Sequence, residues 1–208
     1  MKYYPAFLDL KNKNSVVVGG GKVAERKARV LIKAGANVKI VSPELTGGLE
    51  KLVMQGKLDH IKRNYRKTDV KDCFVVIAAT SSSDINRKVA SDAQCLVNVV
   101  DSPSAGNFIV PSSISRGGLN IAISTGGASP AMSRAVRKEM EKYYDAEFSR
   151  YLRFIESMRK RAMKELPDHD KRAEFLRYIA SDDMLALLRN KGFKSAAEKI
   201  SVMLDRMN

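Results

Sequence analysis

Cysteine is scarce in this chain of 208 residues: there are two, Cys73 and Cys95, with no CxxC spacing and no histidine nearby. That excludes a disulfide scaffold and a Cys/His zinc site, and no metal site is expected. Histidine is equally scarce. His60 and His169 are isolated, and neither has a partner at ligand spacing, so neither is a candidate catalytic group. No apolar run approaches the roughly 20 residues of a membrane-spanning helix, and no membrane partner is expected. The start, Met1-Lys2-Tyr3-Tyr4-Pro5, soon meets Asp9 and Lys11 and lacks the apolar centre of a signal peptide. Internal repeats and low-complexity segments are also lacking. The expected location is the cytoplasm.

What is present suits one or two packed domains. Hydrophobic residues make up 44% and charged residues 29%, enough apolar material for a core and too much for disorder. Lys and Arg number 37 against 23 Asp and Glu, for a net charge of +14. The excess is spread along the chain, with 18 basic and 10 acidic residues up to Ser112 and 19 and 13 beyond it. A charge of this sign favours an anionic partner: nucleic acid, anionic lipid or a polyanionic small molecule. Composition does not choose among them.

Residues 15–18, Ser-Val-Val-Val, run into Gly19-Gly20-Gly21. A helical pattern follows over Val23–Ala34, with Ala24, Ala28, Leu31 and Ile32 at helical spacing and Gly35 as terminator. Asn37–Val41 reads as a strand stopped by Ser42-Pro43. This is a β-turn-α-β unit, the start of a parallel sheet. The alternation continues with a helix over Leu45–Gln55, a strand over Leu58–Arg63, a buried strand over Phe74–Ala79, a helix capped by Ser83 or Asp84 and running to Ala93, and a buried strand over Cys95–Val100. Phe108–Pro111 ends the region. The fold class is therefore α/β, a Rossmann-type doubly wound parallel sheet. Near residue 112 the pattern changes. Ser112–Arg116 and Leu119–Ser124 read as two strands about a Gly117-Gly118 turn, the Thr125–Pro130 segment as a loop, and the rest as helices broken near Pro167 and Gly192. Met132, Met140, Met158 and Met163 are expected to pack between those helices.

Gly19-Gly20-Gly21-Lys22-Val23-Ala24 fits G-x-G-x-x-A after a strand and at the opening of a helix, the context a dinucleotide-binding turn requires. Gly19 permits the tight turn, Gly21 lets a pyrophosphate approach the backbone, and Ala24 allows close helix–strand packing. The helix start offers free N–H groups to phosphate. After the second strand stand Ser42, Pro43 and Glu44, with no Arg beside them to hold a 2′-phosphate, which favours NAD over NADP. Asp101 follows an apolar strand, where carboxyl ends line the ligand crevice, and a carboxylate there can act as general base or metal ligand. A turn Asp before Ser102-Pro103 is the structural alternative. Arg150, Arg153, Lys160 and Lys164 fall close to one helical face, with Arg159 and Arg161 beside it. Such a run is either a solvated face or a polyanion surface, and it carries no signature of a known nucleic-acid module.

Val16–Ala28, Ile77-Ala78-Ala79-Thr80, Asn98-Val99-Val100-Asp101 with Phe108–Pro111, and Ser124–Pro130 are four ordered blocks. In them the chain resembles the precorrin-2 dehydrogenase family, which includes sirohydrochlorin ferrochelatases and the N-terminal half of siroheme synthase. The resemblance covers residues 1 to about 145 strongly, and the helical remainder fits in length and character. It implies an NAD-binding Rossmann domain over residues 1–112, a small strand-pair dimerisation region over 113–145, and a helical tetrapyrrole-side module over 146–208. The implied reaction is NAD-dependent oxidation of precorrin-2 to sirohydrochlorin in siroheme biosynthesis. Some members of the family also insert ferrous iron, a lyase activity, and others only dehydrogenate. By position, Gly19, Gly21, Lys22 and Val23 contact the pyrophosphate; Ser42, Pro43 and Glu44 lie near the adenosine ribose; and Thr80 lies at the nicotinamide side. Asp101 corresponds to the family's key aspartate. Asn98, Ser124, Thr125, Gly126 and Ser129 line the tetrapyrrole side, with Thr125 at the position that carries a regulatory phosphate on Ser in some members. The resemblance implies a homodimer, and any methyltransferase activity is expected on another polypeptide. Precorrin-2 carries eight carboxylates, which a basic chain suits. Two rival readings are weaker. A Rossmann redox sensor with basic helices on nucleic acid has no use for the Asp101 and Ser124–Pro130 blocks, and an NADP reductase of another small acid lacks its basic residue after Val41.

Overall fold

Valine-rich segments separated by amphipathic helices set the first half of the chain. The structure, a computed structural model, describes residues 3–208. Strand β1 (Asn14–Val18) is followed by helix α1 (Lys22–Lys33), β2 (Asn37–Val41), α2 (Gly47–Met54), β3 (Asp59–Ile61), β4 (Val75–Ala78), α3 (Ser83–Asp92) and β5 (Leu96–Val99). The five strands form one parallel sheet in the order β3-β2-β1-β4-β5, with Val17 of β1 opposite Ile40 of β2 and Ile77 of β4. Val16, Val17 and Val18 are at most 3% exposed, as expected for a central strand covered on both faces. Burying such a side chain stabilises the fold by about 1.5–3 kcal/mol. Ala24, Ala28 and Leu31 of α1 and Leu49 and Leu52 of α2 pack on one face of the sheet. Val89 of α3 and Val70, from a short 3-10 turn at Lys67–Val70, pack on the other.

The expected elements are present, with β3 shorter than the Leu58–Arg63 run. The caps differ. Ser82, rather than Ser83 or Asp84, caps α3, its Oγ accepting the Ile85 N–H. Three serines in a row each suit the position, and only the middle one has its side chain over the first turn. That shift leaves Ser83 free for another contact. Likewise Thr46 caps α2 through the Leu49 N–H, so that helix starts two residues later than Leu45. The two thiols are half-buried and free, and burial pushes Cys73 up to about 11.

The 3-10 turn hangs on one ion pair. Arg63 donates from both terminal nitrogens to Asp69, at 2.8 and 2.6 Å, and the Arg66 N–H adds a third bond at 2.7 Å. The Asp69 side chain is 3% exposed, and the Arg63 hydrogen bonds hold its carboxyl below the usual value. A carboxyl depressed in the folded state contributes stability that is present above about pH 4 and is lost as pH falls further. Asp69→Asn should therefore lower the urea midpoint at neutral pH. It should also shrink the drop in stability between about pH 4 and pH 3, read from urea curves at each pH.

The chain divides into two compact units, Met1–Val110 and Pro111–Asn208. In the second, β6 (Ser112–Arg116) and β7 (Leu119–Ile123) pair antiparallel across Gly117-Gly118, with Ile114 opposite Ile121. Gly117 adopts φ +61°, as a two-residue hairpin turn requires. Helices α4 (Pro130–Tyr143), α5 (Ala146–Glu165), α6 (His169–Ile179) and α7 (Asp182–Met207) follow, α7 breaking at Gly192 (φ 76°, ψ 176°). Ser129, Asp145, Asp168 and Ser181 cap them. Tyr151, Met158, Phe175, Met184 and Ile200 centre this core. Met158 packs as expected, whereas Met132 and Met163 are each 55% exposed. Met163 follows the buried Ala162, about 100° round the helix, and Met132 lies in the exposed first turn of α4. On α5 the basic run is interleaved with acids: Lys160 pairs with Glu156, and Arg161 with Glu165 and Asp205.

Candidate active site

In the first unit the strand order reverses between β1 and β4. In open α/β sheets the ligand crevice lies outside the strand carboxyl ends at that point. A cleft of about 640 Å³ opens there, lined by Gly19–Gly21, Ser42–Thr46, Asn64, Tyr65 and Ala79–Ser82. The three glycines do different work. Gly19 has φ +121°, and a Cβ there would stand 2.4 Å from the Ala79 carbonyl oxygen. At Gly20 a Cβ would fall 1.8 Å from the Glu44 carbonyl oxygen, so the middle position of the motif is as constrained as the first. Gly21 is the opposite case, with nothing within 4 Å of where its Cβ would lie.

That open side faces a helix start. Gly21 is the N-cap of α1 and supplies no side-chain cap. The first intrahelical bond runs from the Glu25 N–H to the Gly21 carbonyl at 2.9 Å, which leaves the N–H groups of Lys22, Val23 and Ala24 without an intrahelical acceptor. Free donors, a positive helix end and no side chain in the way fit a pyrophosphate. Lys22 and Val23 are exposed on that first turn. Ser42 is buried, and its Oγ donates to the Glu44 carbonyl at 2.8 Å, closing the turn that carries Pro43. His60 Nε2 lies 2.8 Å from the Ser42 carbonyl oxygen and donates to it. Among the described residues lining the cleft, Glu44 alone is charged.

At the end of β4 stands Thr80, and at the end of β5 stands Asp101. A residue the sequence reading passed over joins them. Asn86, on the buried face of α3 with Val89, is fully buried. Its Oδ1 accepts the Thr80 N–H at 3.0 Å and lies 2.8 Å from Thr80 Oγ1. Its Nδ2 donates to the Thr80 carbonyl at 3.2 Å and to Asp101 Oδ1 at 2.9 Å. Ser83, released from capping, donates to Asp101 Oδ2 at 2.6 Å. The Asp101 carboxylate is otherwise exposed. The Ser83 hydrogen bond first, then Asn86, its own backbone N–H and the charge of Arg87 hold its carboxyl below the usual value. It is therefore a carboxylate at neutral pH, held in one orientation. The signal for Asn86 was an amide on the apolar face of a helix, a position that demands partners.

Asn98 is buried in β5 and donates from Nδ2 to the Phe108 carbonyl at 3.1 Å, which fastens the segment after the strand. The remaining expected residues lie in the second unit, in the loop before α4. There Thr125 Oγ1 accepts the Ser129 N–H at 3.1 Å and lies 3.2 Å from Ser133 Oγ. Ser124 Oγ accepts the Gly126 N–H, and Ser129 Oγ accepts the Met132 N–H. Among the described residues no group of three or more His, Cys, Asp or Glu is placed to hold a metal ion.

Strand order, glycine turn and open helix start define a dinucleotide-binding protein of the Rossmann class. The chain belongs to the family described as "Putative NAD(P)-binding", whose model matches residues 6–112, and residues 116–143 match the model described as "Sirohaem biosynthesis protein central". It is 36% identical over 200 residues to the siroheme synthase of Chromobacterium violaceum, covering 95% of this chain and 42% of that protein. It is 35% identical over 208 residues to the siroheme synthase of Thioalkalivibrio sulfidiphilus, covering 99% and 42%. The chain thus spans less than half the length of these curated relatives. A solved structure titled "SirC, precorrin-2 dehydrogenase" matches with a TM-score of 0.81 and 27% identity, over 96% of this chain and all of that one. The family resemblance read from the four sequence blocks holds, and the matched family model makes the first unit an NAD(P)-binding domain.

Proposed function

We propose that this chain oxidises precorrin-2 to sirohydrochlorin with NAD as oxidant. The observation that carries the reading is the Thr80–Asn86–Asp101 network, which sets an oriented carboxylate beside a cleft shaped for a dinucleotide. The likeness to a precorrin-2 dehydrogenase structure over nearly the whole chain supports the choice of substrate. When bound, NAD supplies the hydride acceptor, and the balanced reaction converts precorrin-2 and NAD to sirohydrochlorin, NADH and a proton. Gly19, Gly21, Lys22 and Val23 hold the pyrophosphate. Ser42, Pro43 and Glu44 flank the adenosine ribose, where the Glu44 charge opposes a 2′-phosphate. Thr80 lies at the nicotinamide side. Asp101, charged at neutral pH, accepts the proton that leaves the macrocycle. Asn98 and the Ser124–Ser129 loop belong to the tetrapyrrole side, and the basic second unit suits its carboxylates. Ferrous iron, in this reading, is a further substrate: insertion expels two pyrrole protons, for which the same carboxylate is an acceptor. An anaerobic assay with sirohydrochlorin and ferrous iron separates the two activities. Free thiols and NAD suit a cytoplasmic setting. The direct test supplies precorrin-2 with NAD or with NADP. The sirohydrochlorin spectrum should develop with NAD and at least about tenfold more slowly with NADP, as expected where a phosphate meets a like charge instead of a cation.

A homodimer is part of the same proposal. The β6–β7 pair has two strands only, and a lone two-stranded ribbon is marginal. Ile114 is buried, whereas Leu119, Ile121 and Ile123 are only half-covered, and the strand edges are open to pairing with a second copy. Sedimentation equilibrium at micromolar concentration should give twice the 23.1 kDa chain mass. A monomer throughout that range would contradict it.

A further inference from the structure

We propose that Asn86 is the positioning residue that couples the cofactor side of the site to the proton acceptor. The inference rests on the precorrin-2 dehydrogenase reading and assigns a role to a residue outside the glycine turn and the four family blocks. Asn86 is fully buried, yet all of its hydrogen-bonding capacity is spent on two strand ends, Thr80 after β4 and Asp101 after β5. A buried amide could be satisfied within its own helix surroundings. This one bridges two residues that line or adjoin the reaction side, Oδ1 serving Thr80 alone and Nδ2 shared between the Thr80 carbonyl and Asp101. Oδ1 fixes Thr80, and Nδ2 fixes one oxygen of Asp101 while Ser83 fixes the other. Two donors on two different oxygens lock the carboxylate plane, so the direction in which it accepts a proton is set by α3 rather than by the exposed turn after β5. Thr80 and Asp101 are thus held relative to each other through a single planar amide. Among the described residues, the charge that acts on Asp101 is that of Arg87 on α3, which is itself paired with Asp84.

Two variants separate the arms. Asn86→Ala removes both. Turnover should fall roughly 10–100-fold, below the 10²–10⁴-fold expected for loss of an acid–base group itself, and NAD affinity should weaken. Asn86→Asp keeps the shape and the oxygen that accepts from the Thr80 N–H and hydroxyl, gives up the bond to the Thr80 carbonyl, and sets a carboxylate oxygen against Asp101. Two carboxylates at that distance share a proton, so the acid limb of the pH–rate profile should rise by more than one pH unit, into the range above about pH 5. NAD affinity should stay within about threefold. In an Asp101→Ala background and at saturating NAD, Asn86→Ala should have almost no further effect on turnover, because a residue acting through another is non-additive with it. Additive losses, or an unchanged acid limb in folded Asn86→Asp, would overturn the proposal. So would failure of both variants to fold, which would assign Asn86 to the fold alone. The underlying reading is checked separately by the wild-type chain: absence of sirohydrochlorin there would defeat that reading, whatever the variants do.

Discussion

Gly21→Asp is expected to abolish NAD binding in a protein that remains folded. The Cβ position at residue 21 is open, with nothing within 4 Å, so the substitution creates no clash with the protein itself. Its φ is −82°, ordinary for any residue, and Asp is a favoured N-cap. The carboxylate would accept hydrogen bonds from the first-turn N–H groups of α1, and its charge would sit on the positive end of the helix. Stability should therefore hold or rise slightly. The same features that welcome the carboxylate exclude the cofactor, because space, donors and favourable potential are then all taken by the side chain. NAD affinity should fall at least about 100-fold, roughly 2.7 kcal/mol, by calorimetry, with an unchanged circular dichroism spectrum. Binding at the wild-type affinity would show that the turn is not the cofactor site. Substitution at Gly20 makes the informative contrast. A Cβ there meets the Glu44 backbone, so Gly20→Ala should damage the fold of the β2–α2 turn before it reaches the cofactor.

Asp101→Ala should cut turnover by roughly 10²–10⁴-fold, the span for a positioned acid–base group. The side chain is exposed and caps no helix, so the cost to stability should be small. What the substitution does remove is the acceptor for Ser83 and for one arm of Asn86. The other arm, on Thr80, is untouched, so NAD affinity should change little. In the wild type the carboxyl is held below its usual value, so activity should persist toward acid pH and fail through the protonation of Asp101 only below about pH 4. A purely structural role for Asp101 predicts the reverse pattern: lower stability with turnover per folded molecule intact. Retained iron insertion in the variant would separate the two reactions that one carboxylate is proposed to serve.

The doubly wound sheet was legible because its signals are local. Val16–Val18 followed by three glycines, the Ala24/Ala28/Leu31 stripe and Gly35 each have one economical structural meaning, and they agree with one another. The Gly19 and Gly21 roles follow from the same pattern. Gly20 did not stand out, since in G-x-G the middle residue is nominally free. Here it is constrained by a carbonyl from Glu44, 24 residues on, and no local rule reports that. Asn86 was missed for a similar reason: its partners lie 6 and 15 positions away, on two different strand ends. The Ser81-Ser82-Ser83 run shows how closely such assignments compete. A shift of one residue in the cap decides whether Ser83 serves the helix or Asp101. In the second unit the breaks at Asp145 and Ser181 carry neither Gly nor Pro. They are set by capping side chains, Asp145 on the Glu147 and Phe148 N–H groups and Ser181 on that of Met184, and such caps look like ordinary polar residues until the helices are packed.

The central claim is that one chain joins a dinucleotide cleft to an oriented carboxylate in order to dehydrogenate precorrin-2. Its most direct test is an anaerobic reaction of the purified chain with precorrin-2 and NAD, following NADH and sirohydrochlorin together by absorbance. The account predicts that the two appear at the same rate and in a one-to-one ratio, and that both are lost with Gly21→Asp. Sirohydrochlorin formed without NADH, or at an undiminished rate in that variant, would contradict it.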